Sequence, residues 1–312
     1  MLWSTHTKGA RASRVSLLFV RSRLVVEPSG RSASVAPRRV RAIGAGALAV
    51  ILSAFAVAEQ DTVDEGRALA ILERAFAYRY ALSLTADVEL EIGSRGGSSR
   101  RRVLRMATLH DGDAYRALGQ LLSPEYLRGM TILSLSAGRA DHQAFVYLPS
   151  QDRVRRIAIT HKDDAFLGSD LTYEDFERRY ADDCIVRSLE NGEVAGERVH
   201  IIGCTPRAKL QYDRAEFVVA ASDFVILESR EYRAGRPAPS RLMTAERKGV
   251  EEVGGHSLPT RLRFESPERG TVTAVTFSNL EARRIDPRLF TVAALARQPD
   301  LGRAKDGVVD VE

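Results

Sequence analysis

Cysteine and tryptophan are scarce in this chain, with two and one among 312 residues. The sequence holds no G-x-S-x-G elbow, no H-E-x-x-H, no Walker loop and no C-x-x-C, so the common signatures of serine hydrolases, zinc proteases, nucleotide-binding enzymes and thiol redox centres are absent. Histidines are few as well. His110, His142, His161, His200 and His256 are scattered without metal-ligand spacing, which gives no metal site, no cofactor and no catalytic group to name. Apolar stretches of membrane length are also lacking. The longest small and apolar run, residues 42–58, is too short and too glycine-rich for a comfortable span.

That run has a different use. Arg38, Arg39 and Arg41 precede it, and it ends in Ala56-Val57-Ala58 before Glu59, the small-x-small pattern a signal peptidase requires. We therefore read residues 1–58 as an N-terminal extension and signal peptide, with cleavage after Ala58 and a mature protein in the periplasm. Translation from Val40 and a twin-arginine use of Arg38-Arg39 both stay open. The leader carries 9 of the 46 basic residues and 1 of the 41 acidic ones, so the mature chain has 37 against 40, a net charge of −3. The formal +5 thus belongs to the export signal, and nucleic acid is excluded as an expected partner.

Beyond the leader, Thr62-Val63-Asp64-Glu65 predicts a capping box, with Leu69, Ile71, Leu72 and Phe76 as the apolar stripe of one helix. The period then changes to two. Tyr80, Leu82, Leu84, Ala86, Val88, Leu90 and Ile92 alternate with polar residues, predicting a strand about 40 Å long at about 3.3 Å per residue. Short strands are predicted at 100–109, 114–121, 130–135, 142–148 and 153–159. More follow at 184–190, 197–204, 212–220, 225–233, 239–247, 257–264 and 271–280. Between the two series, Asp170 is placed to cap a short helix whose first turn holds Glu174 and Asp175. No fixed repeat links the strands, and a sheet of roughly eleven strands has to curl. The fold class is mainly β: one curved antiparallel sheet forming an incomplete, half-open barrel with a few covering helices. The domain runs from residue 59 to 298, and residues 299–312 form a tail without pattern.

Leu82, Leu84, Val88 and Leu90, with Tyr147 and Leu148, are the candidate lining of an apolar cavity, unless they simply pack beneath the helices. Arg153 and Arg155 share one face of their strand and Arg156 takes the other. They either pair with Asp170, Glu174 and Asp175 or meet an anionic head group at a cavity rim. Cys184 and Cys204 flank one predicted hairpin whose midpoint falls near Glu193 and Val194, and they are either disulfide-bonded or two small buried thiols.

Three blocks together carry a resemblance. The first is Leu122-Ser123-Pro124-Glu125-Tyr126-Leu127-Arg128-Gly129. The second is Val146-Tyr147-Leu148-Pro149-Ser150 with Arg153-Val154-Arg155-Arg156-Ile157. The third is Gly168-Ser169-Asp170-Leu171-Thr172-Tyr173-Glu174-Asp175. In order and spacing they resemble the outer membrane lipoprotein-sorting protein family of the LolA-like superfamily. The resemblance implies a LolA/LolB-like half-barrel and a non-enzymatic carrier or binder of lipid or lipoprotein acyl chains. Its delivery partner would be an inner-membrane lipid exporter or an outer-membrane acceptor. The alternative is a sensor or adaptor of the same fold that binds a partner or ligand without transporting it.

Overall fold

The computed structural model describes residues 64–301, apart from short stretches at 95–96, 98, 113, 139–141, 159–163, 298 and 300. The leader, the cleavage site after Ala58, Thr62 and residues 302–312 lie outside the described residues. Helix α1 spans Glu65–Tyr80, and its cap is Asp64, two residues past the expected Thr62, with its side chain accepting from the Arg67 amide at 2.9 Å. Glu65 in the first turn suits the positive end of the helix dipole. Ala68, Ile71, Leu72, Ala75 and Phe76 recur at three- and four-residue steps and are all buried. Each large side chain among them contributes roughly 1.5–3 kcal/mol over exposure.

Tyr80 belongs to this helix, although the sequence placed it in the first strand. It fits both periodicities, because it continues the row 68, 72, 76 as well as the alternation that follows. Tertiary contacts favour the helix: its ring meets Tyr115 edge-on at 5.0 Å and its hydroxyl donates to the Glu177 carbonyl at 2.6 Å. The first strand is accordingly shorter than expected.

The first series of strands comprises β1 Leu84–Ser94, β2 Arg100–Asp111, β3 Ala114–Ser123, β4 Thr131–Ala137, β5 His142–Leu148 and β6 Arg153–Ile157. The second comprises β7 Cys184–Val194, β8 Glu197–Pro206, β9 Arg214–Ala220, β10 Ile226–Tyr232, β11 Arg241–Ala245, β12 Val250–Val253, β13 His256–Pro259, β14 Arg261–Ser266 and β15 Thr271–Ala282. The predicted strand at 257–264 is in fact two. Thr260 interrupts it by donating to the Gly249 carbonyl through both its amide and its hydroxyl, so β13 pairs with β12 while β14 joins the main sheet.

Among the described residues the main sheet has 13 strands in the order β6-β5-β4-β3-β2-β1-β15-β14-β11-β10-β9-β8-β7. The chain starts at the centre, meanders to the β6 edge, reaches the β7 edge by a crossing segment described from residue 164 to 183, and meanders back until β15 pairs with β1. Every neighbouring pair is antiparallel, and the two edges do not meet, so the barrel stays open. The expected fold class holds.

Alternation gives the sheet two apolar faces. On the concave face, α1 covers Val186, Ile202, Cys204, Phe217 and Val219, while Phe166, Leu171 and Phe176 of the crossing segment cover Val88, Leu90, Leu104, Phe264 and Val275. On the convex face, the short helix α2 (Val292–Ala296) and Leu301 cover Leu118, Leu133 and Tyr147. Leu301 is buried, so packing extends past the boundary placed at residue 298.

Candidate functional site

A cavity of about 190 Å³ lies between the concave face and the crossing segment. Its walls are apolar because β1, β2, β3, β14 and β15 all present their apolar alternates to it. Leu84, Val88 and Leu90 come from β1, Leu104 and Met106 from β2, Phe264 from β14, and Val275 and Phe277 from β15. Phe166, Leu171 and Phe176 of the crossing segment form the roof, and Leu258 and Pro259 of β13 reach in from one end.

Three of the six expected lining residues are therefore in the wall. Leu82 precedes β1 and lies against the β12–β13 turn at Gly254. Tyr147 packs on the convex face among Leu133, Phe290 and Leu295, and its hydroxyl donates to Asp152 at 3.0 Å. Leu148 is half-buried at the end of β5 and takes no part in the wall. Adjacent strand positions point to opposite faces, so Tyr147 and Leu148 could never have lined one cavity together.

Polar anchors hold the roof down. Glu177 Oε1 stands 2.7 Å from His142 Nδ1, and His142 Nε2 stands 2.9 Å from Ser134 Oγ. The order serine, histidine, carboxylate is that of a hydrolytic relay. Ser134 borders the cavity from the middle of β4, whose backbone pairs on both sides with β3 and β5, and its hydroxyl also reaches the Phe176 carbonyl at 3.3 Å. The trio is a clip between roof and sheet.

A family model described as "Uncharacterized protein" matches residues 114–297, more than half of the chain. A DUF1329 family protein from Desulfovibrio piger superposes with a TM-score of 0.69 at 23% identity, covering 75% of this chain and 100% of its own. An outer membrane lipoprotein-sorting protein domain from Vibrio parahaemolyticus gives 0.69 at 20% identity, with 75% and 100% covered. A LolA superfamily protein from Nitrosomonas europaea gives 0.57 at 20% identity, with 72% and 98% covered. No curated protein matches the chain. The chain belongs to the DUF1329-like family, and its fold is that of the LolA superfamily.

In this LolA-like chain the three sequence blocks are largely turns and anchors. Ser123 and Pro124 are joined by a cis peptide at the end of β3, and Gly129, buried with φ near +78°, closes the loop by donating its amide to the Leu121 carbonyl. Only glycine adopts that conformation without strain. Pro149 opens the turn Pro149–Gln151 that leads into β6. Val154 packs on the convex face, so Arg153 and Arg155 face the concave side and Arg156 the other, as alternation predicted.

The expected pairing of those arginines with the acids of the third block does not occur. Arg155 donates to Gln151 instead. Asp170 does not cap a helix either: it is 1% exposed and accepts from Thr271, Thr273 and Arg269 at 2.5, 2.8 and 2.8 Å, fastening the roof to β15. Ser169 donates to the Phe166 carbonyl, and Gly168 has its backbone carbonyl bonded by Arg100. Asp175 forms a capping box with Thr172 over the single turn Tyr173–Phe176. Tyr173 sits edge-on to Phe166, and burial with help from Asp164 pushes its phenol up.

Arg241 and Arg179, which the sequence did not single out, serve these acids. Arg241 bonds Asp175, Glu231 at 3.2 Å and the Asp170 carbonyl at 3.1 Å. Arg179 reaches Glu231 at 3.4 Å and Glu174 at 4.0 Å. Burial opposes the charge on Arg241, but Asp175 and Glu231 outweigh it and hold the guanidinium above its ordinary value. Burial raises the Glu174 carboxyl despite Arg179, and it pushes the nearby Tyr212 phenol up to about 12. No local signal could have found Arg241, because a single arginine in a half-polar strand looks like any solvated one.

On β7 and β8, Cys184 and Cys204 are paired, with Cα atoms 5.5 Å apart. The turn falls at residues 195–196, past the expected midpoint, and a bulge between Val186 and Ser188 shifts the register and brings the two cysteines onto one face.

Proposed function

We propose that this chain is an exported, periplasmic binder or carrier of a single lipid or lipoprotein acyl chain, and that it works without a catalytic group. The apolar cavity under the crossing segment supports this. An apolar cavity of about 150 Å³ takes up one benzene, so about 190 Å³ accommodates roughly seven methylene-sized groups of a chain. Keeping that much of an acyl chain out of water is worth on the order of 6 kcal/mol at roughly 0.8 per methylene, and a lined cavity supplies this where a surface patch does not. The similarity to the Vibrio lipoprotein-sorting domain agrees in fold.

The test is displacement of a fluorescent fatty acid by unlabelled acyl ligands. Saturable uptake at one site, lost on filling the cavity by Val88→Trp in a folded variant, supports the reading. Failure of every acyl probe to bind leaves the adaptor role in its place.

A further inference from the structure

At one end of β2 the concave wall of the cavity continues into two arginines. Arg102 stands directly across from Leu90 in the β1–β2 register and two residues before Leu104, so the three share a face, and both leucines line the cavity. Arg102 is 7% exposed. Among the described residues it forms no ion pair. Its Nη1 donates to the carbonyl of Arg101 at 3.0 Å, its guanidinium lies 5.9 Å from the ring centre of Tyr126, and its Nε is shielded from solvent with no partner. Arg100, on the same face opposite Ile92, is exposed and donates to the Gly168 carbonyl at 3.3 Å.

The neighbouring carboxylates are committed elsewhere: Glu89 pairs with the exposed Arg101, and Glu125 with the exposed Arg128. The contrast with Arg241, which holds two carboxylates and a carbonyl, is sharp. A buried guanidinium is stable only when its charge and its donors are met. Here the partner that would meet them is an anion, and the planar donor fork suits phosphate or carboxylate oxygens.

The geometry points to an anion site formed by Arg102 with Arg100 beside it, taking the phosphate or carboxylate head of the amphiphile whose chain enters the cavity. This assignment rests on the acyl-cavity reading and names its ligand class: an anionic, single-chain-accessible lipid. Tyr126, 75% exposed over the Arg102 guanidinium, forms the outer wall.

Calorimetric titration of the mature protein with lauroyl lysophosphatidic acid, monolaurin and inorganic phosphate tests it. The wild type is expected to bind the phosphate-headed lipid at least tenfold more tightly than the neutral one. Arg102→Met is expected to reduce that preference to within twofold, to leave monolaurin affinity unchanged, and to raise the melting temperature by removing an unpaired buried charge. Equal wild-type affinity for the two lipids, or a preference that survives in Arg102→Met, overturns the site. A lower melting temperature with loss of both lipids also overturns it, showing Arg102 to be structural. If neither lipid binds but inorganic phosphate binds the wild type and not the variant, the anion site stands as one for a free anion and the acyl-cavity reading fails. If no ligand binds, both fail.

Discussion

Asp175, in the roof of the cavity, pairs with Arg241 on β11, and the two side chains are only 4% and 15% exposed. One residue thus ties the crossing segment to the second half of the sheet while its carboxylate also closes a capping box on Thr172. Arg241→Met leaves Asp175 and Glu231 without their shared cation. Removing one partner of a buried pair typically costs about 3–5 kcal/mol, and a urea midpoint should fall accordingly. Removing Arg128, whose pair with Glu125 is exposed, should leave it nearly unchanged.

Glu174 should make the same region pH-dependent. Its folded carboxyl is raised above the ordinary 4.5 by burial, so the protonated form fits the fold better. The stability it contributes is present in full below about pH 4.5 and is lost as pH rises through the folded value. Glu174→Gln is expected to melt higher than wild type at pH 7–8, with the two curves converging near pH 4. A gap independent of pH would show that Glu174 acts through Arg179 alone.

Cys184 and Cys204 close a loop of 20 residues. A bridge there is worth about 3 kcal/mol through the unfolded chain. Unreduced, denatured protein should show no free thiol, and Cys184→Ala with Cys204→Ala should lower the urea midpoint. Two labelled thiols would mean that the pair serves packing only.

The two faces of β1 allow a direct comparison. Leu84 lines the cavity, whereas Glu89 points to the convex side and pairs with Arg101. Leu84→Glu brings a carboxylate that must stay solvated or neutralise, and either state excludes an acyl chain. Acyl affinity is expected to drop tenfold or more in Leu84→Glu and to change less than twofold in Glu89→Ala, with circular dichroism confirming that both fold. Equal losses would remove the cavity from the account.

The strands were legible because alternation is written locally. His142–Leu148 falls where it was predicted, and Leu84, Val88 and Leu90 were found in the wall by period two alone. Tyr80 misled because it satisfies two periods, and Tyr147 because period two leaves open which face is the concave one. What stayed hidden are relationships across long separations: Arg241 meets Asp175 from 66 residues away, and Arg269 meets Asp170 from 99. Arg102 was hidden differently. It stands in the run Arg100-Arg101-Arg102, and only burial separates it from its solvated neighbours.

Whether the cavity holds one acyl chain is read from native mass spectrometry of the protein purified gently from envelope extract. A complex heavier than the polypeptide alone by one lipid or lipoprotein acyl ligand, released on denaturation, is expected at one per chain. A bare polypeptide mass from the same extract, unchanged after incubation with excess lipid, would contradict it.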